Sequence, residues 1–406
     1  MIFTEFAPNE TIHDALLSLS VIFQPWRWKQ GKELELIQKK INSYFPKTNT
    51  LFFLTGRATL FFLLSSLHLN NQDEIMVTGF TCEAVVLPVI QKGCKPIYVD
   101  IEQETLSMDF ADLRKKITPQ TKGIILQHTF GMIPKYRNEV LELAKGKNIF
   151  VIEDLAHGFN PKNSHLLTPS DKTALILSFG RSKAVSSVFG GGVVLSNKKI
   201  IQSIENKTKT QLTYPSFFYI LRLLMYKPIA IIIKVSYSFG IGKLFHYISK
   251  YLRLLIAEIT LKEKKGEYDI VFEKRFPNSL AILLDHQLSQ FDSNQKNRIE
   301  ISNLYKTQLQ KTTISSSKNI PILRFPILVD NRELILNEFS KQNIFLGQWY
   351  NQPVAPFPLP LKKVEYIIGM CPVAENMCKH IINLPTTVTK KEAMLIIKRC
   401  AFLINK

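Results

Sequence analysis

The segment TALILSFGRSKAVSSVFGGGVVLS occupies residues 173–196. TALILSF has the apolar, β-branched character of a buried strand, and FGGGVVLS reads as a turn into a second strand. Lys183 stands between them, after two serines' worth of loop and before three consecutive glycines. A lysine at the mouth of a sheet is a candidate for Schiff-base chemistry, because partial desolvation lowers its pKa and frees the amine lone pair. The alternative is a solvated surface side chain, and the rest of the chain decides between them.

Outward from this segment, Thr50 to Ser196 alternates strand and helix patterns. TLFFLTGR, DEIMVTGF, CKPIYVDI, GIILQHTFG and IFVIEDLAHG read as strands with their exit loops; ATLFFLLSSL, CEAVVLPVIQKG, DFADLRKKI and NEVLELAKGKN read as helices. Such alternation predicts an α/β fold, a mostly parallel sheet covered by helices. Ligands then sit at the carboxyl ends of the strands. The candidate functional stretches are therefore TGRAT, TGFTCE, QHTFG, EDLAHG and SFGRSK.

The 406 residues are 46% hydrophobic and 21% charged, enough to bury a large core. Cys82, Cys94, Cys371, Cys378 and Cys400 are odd in number and lack the paired spacing of a zinc site, so reduced thiols in a cytoplasmic protein are expected and no metal is. MIFTEFAPNETIHDALL has acidic residues and no basic stretch before an apolar run, which does not read as a signal peptide. A formal charge of +19, from 52 Lys and Arg against 33 Asp and Glu, favours anionic partners. With no helix-turn-helix spacing or ribonucleoprotein motif, nucleic acid is not expected among them.

Three regions follow. Residues 1–205 hold the N-terminal segment and a large domain. Residues 266–406 hold a long helical pattern from RFPNSL to YKTQL and a small C-terminal α/β domain, whose last helix begins near Thr389. Between them, 206–265 reads as a basic, apolar, helical insertion. From Asn206 to Ala257 there is no Asp or Glu, while lysines and arginines interrupt every apolar run before spanning length. Two readings stand: an amphipathic surface lying on anionic lipid, at the inner face of the membrane, or helices packed on their own protein or on a second subunit.

Taken in order, the strand-end motifs resemble the DegT/StrS family of pyridoxal-phosphate sugar aminotransferases. The resemblance runs from about Leu51 to the C-terminus, the insertion apart, and is most specific in KPIYVDIEQETLSMD, VIEDLAHG and LSFGRSK. It implies the type I aminotransferase fold, with a large domain, a smaller C-terminal domain and an active site assembled in a homodimer. It implies pyridoxal 5′-phosphate bound to Lys183 as Schiff base, with Asp154 keeping the pyridine nitrogen protonated and His157 near the 3′-oxygen. Glu153, on the other side of the strand from Asp154, is structural. Gly56, Arg57 and Ala58 match the phosphate-binding turn, and Ser178 the phosphate-binding serine. Arg57 replaces the usual Thr, and two readings of it stand: a guanidinium that binds phosphate in a bidentate way, or a surface arginine.

Other positions depart from the pattern. Cys82, with Phe80 expected on the same side, stands where an aromatic ring stacks on the cofactor. Glu273 replaces an asparagine that reaches across the dimer to the phosphate, with Lys274 and Arg275 beside it. Trp349, Tyr350 and Asn351 replace the histidine of the small-lobe loop. The resemblance implies amination of a keto sugar, a nucleotide-linked 4-keto-6-deoxyhexose, with glutamate as donor, for a surface glycan. Family dehydratases carry histidine in place of the lysine, and Lys183 argues against that branch. Outside the family's activity stand a membrane-associated or regulatory protein that keeps the fold without turnover, and amination of a lipid-linked carbonyl.

Overall fold

Seven of the apolar stretches form one sheet in the computed structural model, which describes residues 1–404 apart from 168, 253, 311–313 and 315–318. The strands are β1 (Asn49–Phe53), β2 (Glu74–Thr78), β3 (Lys95–Val99), β4 (Thr121–Gln127), β5 (Phe150–Asp154), β6 (Thr173–Ser178) and β7 (Gly191–Leu195), in spatial order β1-β7-β6-β5-β4-β2-β3. From β3 to β6 every pairing is parallel; β7 runs antiparallel to both β6 and β1. Every residue of β5 and β7 is buried, as expected of central strands covered on both faces. The parallel strands end on one edge, and the exit loops of β2, β4, β5 and β6 gather there.

Gly191 explains part of the glycine run. A Cβ at this position would strike the Thr55 carbonyl and the Gly56 amide, so only glycine lets β7 lie against the turn that opens the helix Gly56–Ser65. Thr55 caps that helix, its Oγ1 accepting from Ala58 N at 3.2 Å.

The small lobe is built on an antiparallel pair, β8 (Arg324–Leu328) with β9 (Ile381–Pro385). Its last helix starts at Lys390, with Thr389 and Glu392 forming a reciprocal cap. The long helical pattern before it is two helices, Asn278–Ser289 and Phe291–Gln308, that meet at Gln290. Short parallel pairings stitch the parts together: Thr81–Cys82 with Val354–Ala355, and Ile2–Phe3 with Ile344–Phe345.

In the insertion, the helix Phe217–Ser236 packs on its own protein. It buries Ile220, Leu223, Leu224, Ile229 and Ile233, and Ser18 of the helix Ile12–Ile22 donates to the Leu224 carbonyl at 2.7 Å. Lys227, fully buried, ion-pairs with Glu10 at 3.2 Å and Asp14 at 3.5 Å, and Lys234 donates to the Ala7 carbonyl at 3.0 Å. Two of the lysines that break the apolar run therefore satisfy the N-terminal segment. Among the described residues, no helix is long and apolar enough to cross a membrane. After a second insertion helix, Ile241–Tyr251, the chain turns back to the carboxyl edge of the sheet.

Candidate active site

A cavity of about 360 Å³ opens where β4, β5 and β6 end. Gly56, Arg57, Cys82, Asp154, His157, Ser178 and Lys183 all line it, and Trp349, Tyr350 and Asn351 close it from the small lobe. The structure thus brings together seven of the nine site residues expected from the sequence. Phe80 and Ala58 do not reach it. Phe80 is fully buried, edge-on to Tyr350 and Phe130 at 5.0 and 6.4 Å; the chain bends at Gly79 and Phe80 before the short strand Thr81–Cys82, so Phe80, Thr81 and Cys82 are not one extended stretch. Ala58 is buried with its amide held by the Thr55 cap.

The loop after β6 aims Lys183. Phe179 N donates to Gly190 O at 2.9 Å, Ser187 N to Phe179 O at 3.0 Å and Lys183 N to Gly180 O at 3.1 Å, which closes the loop on itself. Asn9 of the N-terminal segment donates to the Lys183 carbonyl at 2.5 Å and accepts from buried Arg298 at 2.6 Å. The Lys183 amine lies 5.0 Å from the Trp349 ring centre. Burial holds this amine below the usual lysine range, and the Asp154 carboxylate acts in the opposite direction. The neighbouring Cys82 thiol is pushed up to about 12 by burial and stays neutral.

Asp154 is 8% exposed at the end of β5, where it accepts from Ala156 N at 2.9 Å; burial raises its carboxyl above the usual range. Glu153 points away, to Arg137 at 2.6 Å and His128 at 2.9 Å, and is held down to about 2 despite its burial. His157 Nδ1 accepts from Phe130 N at 3.3 Å. Burial, with Lys183 and Arg324 adding to it, lowers this imidazole well below its ordinary pKa, so it is neutral with its proton on Nε2. Trp349 stacks on it, with ring centres 5.2 Å apart. Trp349 also carries the Arg324 guanidinium, 3.4 Å from its ring centre.

Arg57 lines the cavity and is not a surface arginine, but its guanidinium is already paired. Arg57 pairs with buried Glu263, lies 3.6 Å from Glu83, donates to the Glu258 carbonyl at 2.9 Å and sits over Phe272 at 4.9 Å. Its charge is engaged by the acids that return from the insertion. Burial, which Arg57 opposes, raises Glu83 to about 7. Glu273 does not line the cavity; it is half-buried, and burial raises its carboxyl. Lys274 and Arg275 bond to Thr213 and to the Lys209 carbonyl, away from the cavity.

Sequence reasoning passed over Glu258. Its Oε1 accepts from Arg181 N at 3.0 Å, and a Cβ on Gly180 would stand 3.3 Å from it, beside Ser178 and Lys183. One signal existed: Glu258 is the first acid after the acid-free run. Asn9, in an unpatterned terminus, gave none.

The donor set fits pyridoxal phosphate. It offers an amine of lowered basicity, a buried carboxylate, a neutral imidazole with one N–H to donate, and Ser178 Oγ against Gly56 at a helix N-terminus. A Cβ added at Gly56 would stand 3.4 Å from Ser178 Oγ, so the glycine keeps this corner open.

Comparison with known proteins agrees with this geometry. The DegT/DnrJ/EryC1/StrS aminotransferase family model matches residues 13–212 and 248–398. The dTDP-4-amino-4,6-dideoxy-D-glucose transaminase of Shigella dysenteriae is 24% identical over 377 residues, covering 89% of this chain and 88% of that protein. GDP-perosamine synthase of Escherichia coli O157:H7 is 32% identical over 167 residues, a match that spans 40% of this chain and 46% of the synthase. The solved structure of Helicobacter pylori PseC, an aminotransferase involved in the biosynthesis of pseudoaminic acid, shares the fold with a TM-score of 0.72 at 17% identity, covering 99% of both chains. Since the family match takes in most of the sequence on both sides of the insertion, the chain belongs to the DegT/DnrJ/EryC1/StrS aminotransferase family and, with it, to the pyridoxal-phosphate-dependent aminotransferases.

Proposed function

We propose that the enzyme transfers the amino group of glutamate to a nucleotide-linked 4-keto-6-deoxyhexose, giving an amino sugar for a surface glycan. A GDP-perosamine synthase and a dTDP-4-amino-4,6-dideoxy-D-glucose transaminase among its relatives support amination of a keto sugar. The observation that carries the reading is Lys183, a half-buried amine of lowered basicity in one cavity with Asp154, His157 and Ser178.

Bound pyridoxal phosphate supplies the electron sink that acidifies the carbon bearing the transferred nitrogen. Lys183 Nζ, less basic than a solvated lysine, takes the proton from that carbon and delivers it in the reverse sense during the second half of the cycle. Asp154 holds a proton at the ring nitrogen. His157 keeps Nδ1 occupied by the Phe130 amide and so has Nε2–H free for the ring oxygen. Ser178 Oγ and the amides that open the helix Gly56–Ser65 bind the phosphate. Trp349 and Tyr350 exclude water from the Lys183 side and shape the space for the sugar.

The enzyme acts in this reading as a cytoplasmic homodimer. Five free cysteines support a reducing compartment. The test is the absorption spectrum of the purified protein with pyridoxal phosphate, before and after glutamate, beside Lys183→Ala. The wild type should show a visible cofactor band that glutamate bleaches and a dTDP- or GDP-linked 4-keto-6-deoxyhexose restores; Lys183→Ala should show none. A wild-type band indifferent to every amino donor would overturn the reading.

A further inference from the structure

The helix Ile12–Ile22 and the helix Ile241–Tyr251 both wear their apolar sides outward. In the first, Asp14, Ala15, Ser18 and Val21 face the protein, while Ile12, Leu16, Leu19 and, just beyond it, Phe23 form one exposed stripe at helical spacing. In the second, Gly242 and Ser249 are buried. A Cβ on Gly242 would stand 2.5 Å from the Ile233 carbonyl and the Tyr237 amide, so this helix is seated by its smallest residue. Its large side chains, Ile241, Leu244, Tyr247 and Tyr251, are each more than 60% exposed. The helix Phe217–Ser236 packs between these two and adds exposed Phe218, Ile232 and Val235. A soluble surface does not concentrate large apolar side chains in this way without a use.

The charge around the patch has one sign. From 206 to 257 there is no acid, and from 11 to 32 the single acid is Asp14, which is buried and paired with Lys227. Lys243 is exposed, and Lys29 lies 4.4 Å over the Phe217 ring at the start of the middle helix. A second copy of the chain is a poor match, since a two-fold contact would set this basic face against itself with no acid to pair. An anionic lipid surface complements it: the aliphatic and aromatic side chains enter the acyl boundary, and the lysines meet the headgroups. Exposed Phe23, Trp26, Phe239, Tyr247 and Tyr251 are the residue types that settle at that boundary.

We infer that this three-helix face docks the enzyme peripherally on an anionic bilayer. The family model's match is interrupted over 213–247, which holds the middle helix of this face, and the contact is independent of which sugar is aminated.

The experiment is co-sedimentation of the full chain with vesicles of equimolar phosphatidylcholine and phosphatidylglycerol, against phosphatidylcholine alone, at low and high salt. The expected result is partitioning about ten-fold stronger on the anionic vesicles and weakened by salt. The triple variant Leu244→Ser, Tyr247→Ser, Tyr251→Ser should lose most of this binding while its thermal unfolding and its cofactor band stay unchanged, because these side chains touch neither the core nor the cavity. A wild type that stays in the supernatant with both vesicles overturns the inference. So does a triple variant that sediments like the wild type, or one whose loss is confined to self-association measured by light scattering.

Discussion

Glu258 puts a carboxylate where the site must accept a phosphate. Its Oε1 takes the Arg181 amide, and it shares the cavity with Ser178 and Gly56. Arg57, the cation that would offset a second anion, is engaged by Glu263 and Glu83. Like charges in a confined site oppose one another, so the carboxylate should weaken cofactor binding. Glu258→Gln retains an oxygen acceptor for the Arg181 amide and removes the charge. It is expected to tighten pyridoxal phosphate binding about five- to ten-fold, roughly 1 kcal/mol. Titration of the visible band, with quenching of Trp349 fluorescence as a second readout, measures it. Weaker binding in the variant would instead show that the carboxylate's charge orders the cup. At this scale the sequence revealed the groups that come in motifs. Asp154 and Ser178 end strands, His157 and Lys183 follow those strands within five residues, and a strand's end fixes where its next residues can go. Glu258 follows no strand, and its position depends on how the insertion returns.

At the scale of the element, the helix Phe217–Ser236 is the part whose composition was hardest to read. Its lysines, scattered through an apolar run, fit a membrane surface and a buried helix equally. What separates the two readings is the partner of Lys227, and that partner, Glu10, lies 217 residues away in sequence. No local pattern carries such a pairing. The exposed helix Ile241–Tyr251 has the same kind of composition and the opposite outcome, because Gly242 and Ser249, not its large residues, seat it. Lys227→Met should leave Glu10 and Asp14 as buried, uncompensated carboxylates and cost roughly 3–5 kcal/mol in chemical denaturation. Lys243→Met, at an exposed position of the next helix, should change stability by less than about 0.5 kcal/mol. Equal costs would mean that the ion pair does not hold the helix.

At the scale of the whole molecule, the N-terminal segment joins parts that the sheet alone does not connect. Ile2 and Phe3 extend along the small lobe, Glu5 reaches Arg324 at 2.8 Å, and Glu10 binds both Ser186 and Lys227. Asn9 stands between the lobes, with its amide nitrogen on the Lys183 carbonyl and its oxygen on Arg298, which also holds the Leu323 carbonyl beside β8. The loop that aims the reactive lysine is thus fastened to the small lobe through one side chain, a positioning residue that never meets the substrate. The alternating pattern predicted the sheet and the edge that holds the ligand, but nothing local to residues 1–11 marks them as the fastening. Asn9→Ala should lower kcat about ten-fold with little change in KM, since it loosens the proton-carrying side chain and leaves the sugar's contacts in place. It should also cost about 1–3 kcal/mol of stability, because a buried guanidinium nitrogen loses its partner. Asn9→Asp separates the two effects: it keeps an oxygen for Arg298 but offers the Lys183 carbonyl no donor. If aiming Lys183 is what matters, the aspartate variant will be as slow as the alanine variant while unfolding closer to the wild type; if both turn over normally, the lysine loop is rigid without its tie to the other lobe.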